Sequence, residues 1–145
     1  MSPKNEIRQL TKIDLFEYKQ LIDSCFGSSQ DLKTYEKMFS NDKNYKIFIS
    51  FVDGQMVGAV TVVAVDLFTF SDRPFLVLFD VCVRENYRRD GVGLALMEYV
   101  KEYGRENGYK SINMTCLESA LPAHRLYEKA GFVKRDSRKY AVDLI

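Results

Sequence analysis

The segment with the clearest chemical potential in this 145-residue sequence is a basic turn at residues 88–93, which reads RRDGVG. It joins an apolar run to a stretch in which apolar side chains recur at helical spacing, from Val92 to Tyr103. The first backbone N–H groups of a helix have no intrahelical partner and lie at the positive end of the helix dipole. Gly91 and Gly93 would let an anion approach those groups closely. The turn therefore predicts a site for a phosphate-bearing ligand.

Two common phosphate-binding loops do not fit this turn. A Walker loop reads G-x-x-x-x-G-K-S/T, whereas here one residue separates the two glycines and neither Lys-Ser nor Lys-Thr follows. A dinucleotide-binding loop reads G-x-G-x-x-G, but this chain has Leu96 at the third glycine position. Asn113 stands where that motif expects an acidic residue.

The turn instead resembles the Q/R-x-x-G-x-G/A signature of the GNAT superfamily of acyl-CoA N-acyltransferases. Residues 81–88 look like the strand and short link that precede this signature in the family. Residues 124–132, HRLYEKAGF, resemble the family's second characteristic block, a helix that carries a tyrosine and ends in Gly-Phe. Two such blocks in this order, separated by a helix and a strand, predict that the chain is a member of this superfamily.

The resemblance implies that acetyl-CoA is the cosubstrate and that main-chain groups hold most of it. Its pyrophosphate is expected on the amides of residues 89–94, and its pantetheine arm alongside residues 81–83, where two parallel strands splay apart. Arg88 and Arg89 could add charge-assisted hydrogen bonds to phosphate, although Arg89 could equally be a solvated charge. The expected cofactor-binding residues are Val81, Cys82, Val83, Arg88, Arg89, Asp90, Gly91, Val92, Gly93, Leu94 and Ser119.

The resemblance also suggests the catalytic groups. Tyr127 matches the tyrosine that many members use as general acid toward the CoA sulfur, and an ordinary pKa of about 10 keeps it protonated at neutral pH. Its alternative role is that of a core aromatic. Many members carry a glutamate base on the central strand, where this chain has Val77 and Phe79. Asp80 is the only carboxylate in that strand, but regular alternation turns it away from the face of Phe79 unless a bulge intervenes. Asp80 is thus either a candidate base or an ordinary solvated or capping aspartate, and water or the neutral fraction of the amine are the alternatives to it as base.

Three neighbouring positions have less distinct roles. Many members have an asparagine where this chain has Ala120, so Ser119 is expected either to replace that cofactor contact or to cap the helix. His124, the only histidine, is expected to be a surface or packing residue. A covalent mechanism through Cys116 and His124 lacks a group to orient the pair, so an inert thiol is favoured. No metal site is predicted.

Length and composition favour one domain over residues 1–145. A net charge of +1 provides no general attraction to nucleic acid or to an anionic membrane, so the expected partners are small molecules. The three cysteines are odd in number, far apart and in apolar settings, which predicts buried thiols of a reducing compartment. The polar amino terminus and the lack of a bilayer-spanning segment complete the expectation of a cytoplasmic protein.

Hydrophobic periodicity predicts the α/β order β-α-α-β-β-β-α-β-α-β-β. The resemblance implies the same order, as a mixed sheet between two helical layers. Asp53 and Gly54 predict a tight hairpin, and the segment from residue 75 to residue 116 predicts a right-handed βαβ unit. Strands are expected at residues 7–10, 45–52, 56–65, 75–83, 111–116, 132–134 and 139–144, and helices at residues 11–26, 31–39, 92–107 and 118–130.

Three functions are compatible with the sequence. The first is an N-acetyltransferase that acts on a primary amine of a small molecule. The second is acetylation of a protein amino terminus or lysine, which needs an open groove; the loop at residues 67–74 and the region of residues 15–39 would decide between the two. The third is an acyl-CoA-binding sensor without catalysis, suggested by the missing strand glutamate. A homodimer is possible in any of these cases.

Overall fold

The computed structural model describes residues 5–40, 44–70 and 72–145, and its centre is a mixed five-stranded sheet. The strands are β1 Asn5–Gln9, β2 Tyr45–Val52, β3 Gln55–Val65, β4 Phe75–Val83 and β5 Ser111–Asn113, which lie side by side in that order. β4 and β5 run parallel, and the other neighbours run antiparallel. The α-helices are α1 Leu15–Phe26, α2 Leu32–Ser40, α3 Val92–Glu106 and α4 Leu121–Lys129. This architecture confirms the predicted α/β fold with a mixed sheet.

The sheet separates two hydrophobic clusters, one on each face. Helix α3 covers one face, where Leu96, Met97 and Val100 are fully buried against β3 and β4. Helix α1 covers the other face, where Leu21 is fully buried against Ile49 and its neighbours. Both helices bury an apolar stripe, and each cluster fixes the position of β4 from one side.

The Asp53-Gly54 hairpin forms as predicted. Both residues have positive φ, 49° and 82°, as a two-residue turn with the twist of its flanking strands requires. The turn brings the start of β3 beside α1, where the Met56 N–H donates to Glu17 Oε1 at 2.9 Å.

The structure corrects the two strands expected at residues 132–134 and 139–144. All residues from 132 to 145 are described, and none of them is in a strand. The alternation is present in Tyr140, Val142 and Leu144, but these side chains are 87%, 80% and 90% exposed. Alternation leads to a strand only where a neighbouring strand accepts its hydrogen bonds and a core accepts its apolar face. β5, the strand at the edge of the sheet next to β4, is only three residues long.

Other predicted strands and helices were longer than the observed ones. The strand expected to reach residue 116 ends at Asn113, and the helix expected from residue 118 begins at Leu121. The N-cap residue of α4 is Ala120, so the expectation that Ser119 caps this helix is wrong. Helix α1 begins at Leu15, after a 3-10 turn at Lys12–Asp14. Residues 1–4 of the polar amino terminus, 41–43 of the loop before β2, and 71 in the loop of residues 67–74 lie outside the described residues.

Candidate active site

The turn between β4 and α3 leaves a row of backbone donors without protein partners. Gly91 is the N-cap residue of α3 and has φ 78°, a left-handed conformation that strains residues with a Cβ. The N–H of Asp90 donates to the Tyr87 carbonyl and that of Ala95 to the Gly91 carbonyl. Within the described part of the chain, no backbone carbonyl accepts a hydrogen bond from the N–H of residue 89 or from those of residues 91–94. These donors can therefore bind an anion.

Two arginines are fixed beside this turn by backbone acceptors. Arg88 Nε donates to the Val83 carbonyl at 3.1 Å, at the end of β4. Arg84 Nε donates to the Met56 carbonyl at 3.0 Å. Arg88 directly precedes the first of the free amides, so its side chain adds positive charge at this turn. Arg89 and Asp90 are exposed, in agreement with solvated charges in a turn.

Gly93 is the point of close contact between α3 and α4. A Cβ atom at this position would lie 2.9 Å from Leu126 Cδ2 and 3.7 Å from Val83 Cγ2. Only a residue without a side chain lets the two helices meet here without displacing Leu126, the neighbour of Tyr127. The glycine of the sequence motif thus also permits the close packing of α3 on α4.

A gap separates β4 from β5 beyond their first residues. The two strands pair from Phe75 with Ser111 to Val77 with Asn113, where β5 ends. Within the described residues, no strand pairs with β4 on that side from residue 78 to residue 83. Apart from the Val83 carbonyl, which accepts from Arg88 Nε, the main-chain groups that face this gap are therefore available to an extended ligand. Val81, Cys82 and Val83 all lie in this unpaired part of β4.

A β-bulge at Asp80 lies beside the gap. Ala59 pairs with Cys82 and Thr61 pairs with Phe79, so Asp80 and Val81 together oppose one residue of β3. Asp80 has φ 52°, a left-handed conformation that aspartate tolerates better than most residues. Because of the extra residue, Phe79 and Asp80 lie on the same face of the sheet. The regular alternation expected from the sequence is therefore broken at Asp80, and the bulge brings this residue to the face of Phe79.

Phe79 and Asp80 form part of the wall of a cavity of about 500 Å³ on the α1 and α2 face of the sheet. This volume is in the range of small-molecule sites. The lining combines residues of the first two helices and of β1 to β4 with two loop residues. The members are Gln9, Leu10, Leu15, Tyr18, Ile22, Phe26, Gln30, Tyr35, Met38, Phe39, Tyr45, Ile47, Thr61, Val63, Phe79 and Asp80.

Sequence analysis missed two polar members of this wall. Tyr18 is 5% exposed, and burial raises the pKa of its phenol although a hydrogen bond with Thr61 opposes the shift. The negative charge of Asp80 adds to the rise. Thr61 is one of two buried polar residues in the described chain. A lone threonine in the valine-rich β3 was a signal that could have indicated a polar contact in the site.

Tyr127 lies on the side of β4 that faces α3 and α4, and it does not line the cavity. Its ring packs edge to face with Phe132 at a centroid distance of 6.0 Å. Burial raises the pKa of Tyr127, with a smaller contribution from Cys116, so the phenol stays protonated at neutral pH. The core contacts agree with the packing role considered for Tyr127, and the retained proton agrees with the role of an acid.

Two cysteines that are far apart in sequence meet beside the cavity. Cys25 of α1 packs on Cys82 of β4 in the core cluster of the α1 face. A hydrogen bond from Cys82 lowers the pKa of Cys25 to about 7, while the same contact and burial raise the pKa of Cys82. All three cysteines are free thiols, as expected. Cys25 and Cys116, however, are only partly buried.

The remaining expectations concern residues outside this geometry. His124 Nε2 lies 2.7 Å from the Leu117 carbonyl, a contact that holds the loop before α4 and agrees with the expected packing role. Ser119 is exposed in that loop. Among the described residues no cluster of histidine, cysteine or carboxylate side chains could hold a metal ion. The helices of the described chain include none with the length and hydropathy needed to cross a bilayer.

The site thus combines a sheet that opens between β4 and β5 with a turn whose free amides can bind an anion. A model of the Acetyltransferase (GNAT) family matches residues 14–132, and the chain belongs to that family. GNAT acetyltransferases take the acetyl group from acetyl-CoA, which is therefore the cosubstrate.

Known proteins agree with this assignment. An uncharacterized N-acetyltransferase of Archaeoglobus fulgidus is 25% identical over 125 residues, which cover 86% of this chain and 84% of the relative. The chain spans about half the length of two vertebrate relatives that it also matches. An aminoglycoside acetyltransferase from a soil metagenomic sample, in complex with sisomicin, has the same fold, with a TM-score of 0.84, 20% identity and 97% of both chains covered. An aminoglycoside N-acetyltransferase in complex with CoA gives the same TM-score of 0.84 at 15% identity, with 100% and 98% of the two chains covered.

Proposed function

We propose that this protein transfers the acetyl group of acetyl-CoA to the primary amine of a small molecule by direct attack on the thioester. The observation that carries the proposal is the bulge at Asp80. It turns a carboxylate into a cavity of small-molecule size, at the level where β4 parts from β5. An amine in the cavity and a thioester in the gap would then meet at the same strand.

The cosubstrate is assigned to the turn and the gap. The pyrophosphate would accept hydrogen bonds from the free amides of residue 89 and residues 91–94, supported by the charge of Arg88. The pantetheine arm would run along the unpaired edge of β4, next to residues 81–83. Val83 lies three residues beyond Asp80 along β4, a distance of about 10 Å at the usual rise per residue. The bulge therefore lies about 10 Å further from the turn than Val83 does. The thioester end of acetyl-CoA is proposed to lie at this distance, beside the bulge.

The proposed reaction forms a C–N bond and breaks the C–S bond of the thioester. The neutral amine attacks the carbonyl carbon, and Asp80 accepts the proton that the amine must lose, directly or through water. Tyr127 donates its phenolic proton to the departing CoA thiolate. The raised pKa of Tyr127 supports this role, because the phenol is fully protonated before transfer.

The bulge also bears on the non-catalytic alternative. An acyl-CoA sensor was suggested because a glutamate is missing from the central strand. Asp80 now presents a carboxylate on the face where that glutamate was expected, so the reason for the sensor weakens. The second alternative is acetylation of proteins, and no observation on the described residues favours it.

The test is acetyl-CoA-dependent CoA release with a panel of small amines, comparing wild type with Tyr127→Phe. We expect kcat to fall about 100-fold while the KM for acetyl-CoA is unchanged, since only proton donation is lost. Tyr140→Phe, at an 87% exposed position, is the matched control and should keep wild-type kcat. Unchanged kcat in Tyr127→Phe would show that another group protonates the thiolate.

A separate measurement tests the cosubstrate site. A ligand that binds only the native state raises the free energy of unfolding, by about 2.7 kcal/mol at 100 times its Kd. We expect acetyl-CoA to raise the thermal midpoint, and NAD and ATP to leave it nearly unchanged. A shift that is equal for all three ligands would contradict a dedicated acetyl-CoA site.

A further inference from the structure

The side chains that line the cavity also indicate which kind of amine it binds. We infer that the preferred substrate is a monoamine with an aromatic or alkyl body, a molecule with one positive charge on an otherwise apolar frame. The inference rests on the proposed function, because it names the amine that this same cavity would present to acetyl-CoA.

The wall of the cavity is apolar over most of its surface. Helices α1 and α2 contribute aromatic rings to it at Tyr18, Phe26, Tyr35 and Phe39. Tyr18 and Tyr35 meet edge to face at a centroid distance of 6.1 Å, which holds both rings in place. Apolar walls of this kind bind a ligand by removing its hydrocarbon surface from water. An alkyl chain or an aromatic ring fits them, and a sugar with its many hydroxyl groups does not.

The charge of the cavity is equally specific. Among the described residues that line it, Asp80 is the single charged side chain. The other polar groups are the amides of Gln9 and Gln30, the hydroxyl of Thr61, and the tyrosine hydroxyls. One carboxylate can balance one ammonium group. A second ammonium on the same substrate would leave water without a counter-charge, which is unfavourable in an apolar site.

The position of the charge orients the substrate. Asp80 lies on β4 at the bulge, whereas the aromatic rings of α1 and α2 form the opposite wall. A monoamine therefore places its nitrogen at the strand, where the proposed chemistry occurs, and its apolar body against the helices. The reverse orientation would bury the charged group among aromatic and aliphatic side chains.

The experiment compares amines that differ in one charge. Hexylamine and 1,6-diaminohexane have the same chain length, 2-phenylethylamine adds a ring, and kanamycin serves as a polycation. We expect kcat/KM for hexylamine to exceed that for 1,6-diaminohexane by about 30-fold, as the cost of an unbalanced charge predicts. 2-Phenylethylamine should be at least as good as hexylamine, and kanamycin should be the poorest substrate.

A variant moves the selectivity in a defined direction. Met38 lines the cavity and is 55% exposed, so substitution there need not disturb the core. Met38→Glu adds a second carboxylate and should reduce the preference for hexylamine over the diamine by about 3-fold to 10-fold, a modest change because the position is screened by water. Met38→Gln has the same shape without the charge and should keep the wild-type preference.

The outcomes separate the two proposals. Equal or better turnover of 1,6-diaminohexane or kanamycin would overturn the monoamine inference and leave amine acetylation standing. An unchanged preference in Met38→Glu would also contradict the inference, because it would show that charge in this cavity does not select the substrate. Failure to acetylate any amine of the panel, with acetyl-CoA bound, would overturn the proposed function together with the inference.

Discussion

Asp80→Asn is the substitution that tests the bulge most directly. Asparagine has nearly the same shape as aspartate, and it tolerates the left-handed conformation that Asp80 adopts at φ 52°. The substitution therefore removes the negative charge and leaves the backbone as it is. A change in rate then reports on the carboxylate alone.

The expected loss follows from the role of the carboxylate. Removal of a positioned general base typically lowers the rate about 100-fold or more, which corresponds to about 2.7 kcal/mol in the activation free energy. Because Asp80 is exposed to the cavity, we expect the lower end of this range. Asp80→Ala should lose as much activity and also lose stability, since alanine at positive φ costs roughly 1 to 2 kcal/mol. For a chain of this length that is a fall of about 3 to 8 °C in thermal midpoint.

The assay is steady-state CoA release with a monoamine, with thermal unfolding of each variant in parallel. Asp136→Asn removes a carboxylate at an exposed position of the irregular carboxyl-terminal segment and is the control, with wild-type values expected in both measurements. The reasoning is refuted if Asp80→Asn keeps kcat/KM within about 3-fold of wild type at an unchanged midpoint. The amine would then lose its proton without help from this residue.

Three further predictions concern the surroundings of the site. Gly93→Ala places a methyl group 2.9 Å from Leu126 Cδ2, so we expect a lower thermal midpoint and weaker acetyl-CoA binding in a titration; unchanged values would show that the two helices can separate freely. Alkylation of Cys25 by iodoacetamide, followed by peptide mass spectrometry, should be half-maximal near pH 7; in Cys82→Ala it should move toward the ordinary thiol pKa of about 8.5, and a fixed profile would contradict the hydrogen bond between the thiols. Arg8 donates to both carboxylate oxygens of Asp14, at 2.7 Å and 2.8 Å, and this hydrogen bonding lowers the pKa of Asp14. The ionised carboxylate therefore stabilises the fold fully above its ordinary pKa of about 3.9, and this contribution declines as pH falls from that value toward the lowered pKa of the folded state. Asp14→Asn should accordingly lower the thermal midpoint at pH 7 by more than it does at pH 3, and an equal effect at both pH values would be inconsistent with this linkage.

The sequence predicted the helices and the central strands because their periodicity is strong and local. Leu96 and Val100 follow helical spacing and are buried where that spacing places them. The tight hairpin was equally predictable, since Asp53 and Gly54 are residue types that accept positive φ. The turn between β4 and α3 was singled out by its glycines, and Gly91 has the left-handed conformation that glycine adopts without strain.

The features that were missed depend on contacts between distant parts of the chain. The sequence of β4 does not show where a bulge interrupts the alternation of its side chains. The face of the sheet on which Asp80 lies is therefore known only from the pairing of β3 with β4. Cys25 and Cys82 meet because a helix packs on a sheet, which no local pattern records. The strand expected at residues 139–144 had the right alternation, but strand formation also needs a neighbour, and the sequence does not show how short β5 is.

The gap between β4 and β5 links the cosubstrate to the lifetime of the protein. Among the described residues, β4 lacks a neighbour on its β5 side over residues 78–83, so the free protein lacks hydrogen bonds that an intact sheet would have there. With acetyl-CoA in the gap, as proposed, the ligand completes the sheet, and the population of unfolded chains falls as its concentration rises. Unfolded chains are the ones that cellular proteases degrade. The abundance of this protein would then follow the supply of acetyl-CoA, and a cell with little acetyl-CoA would retain less of the protein that consumes it.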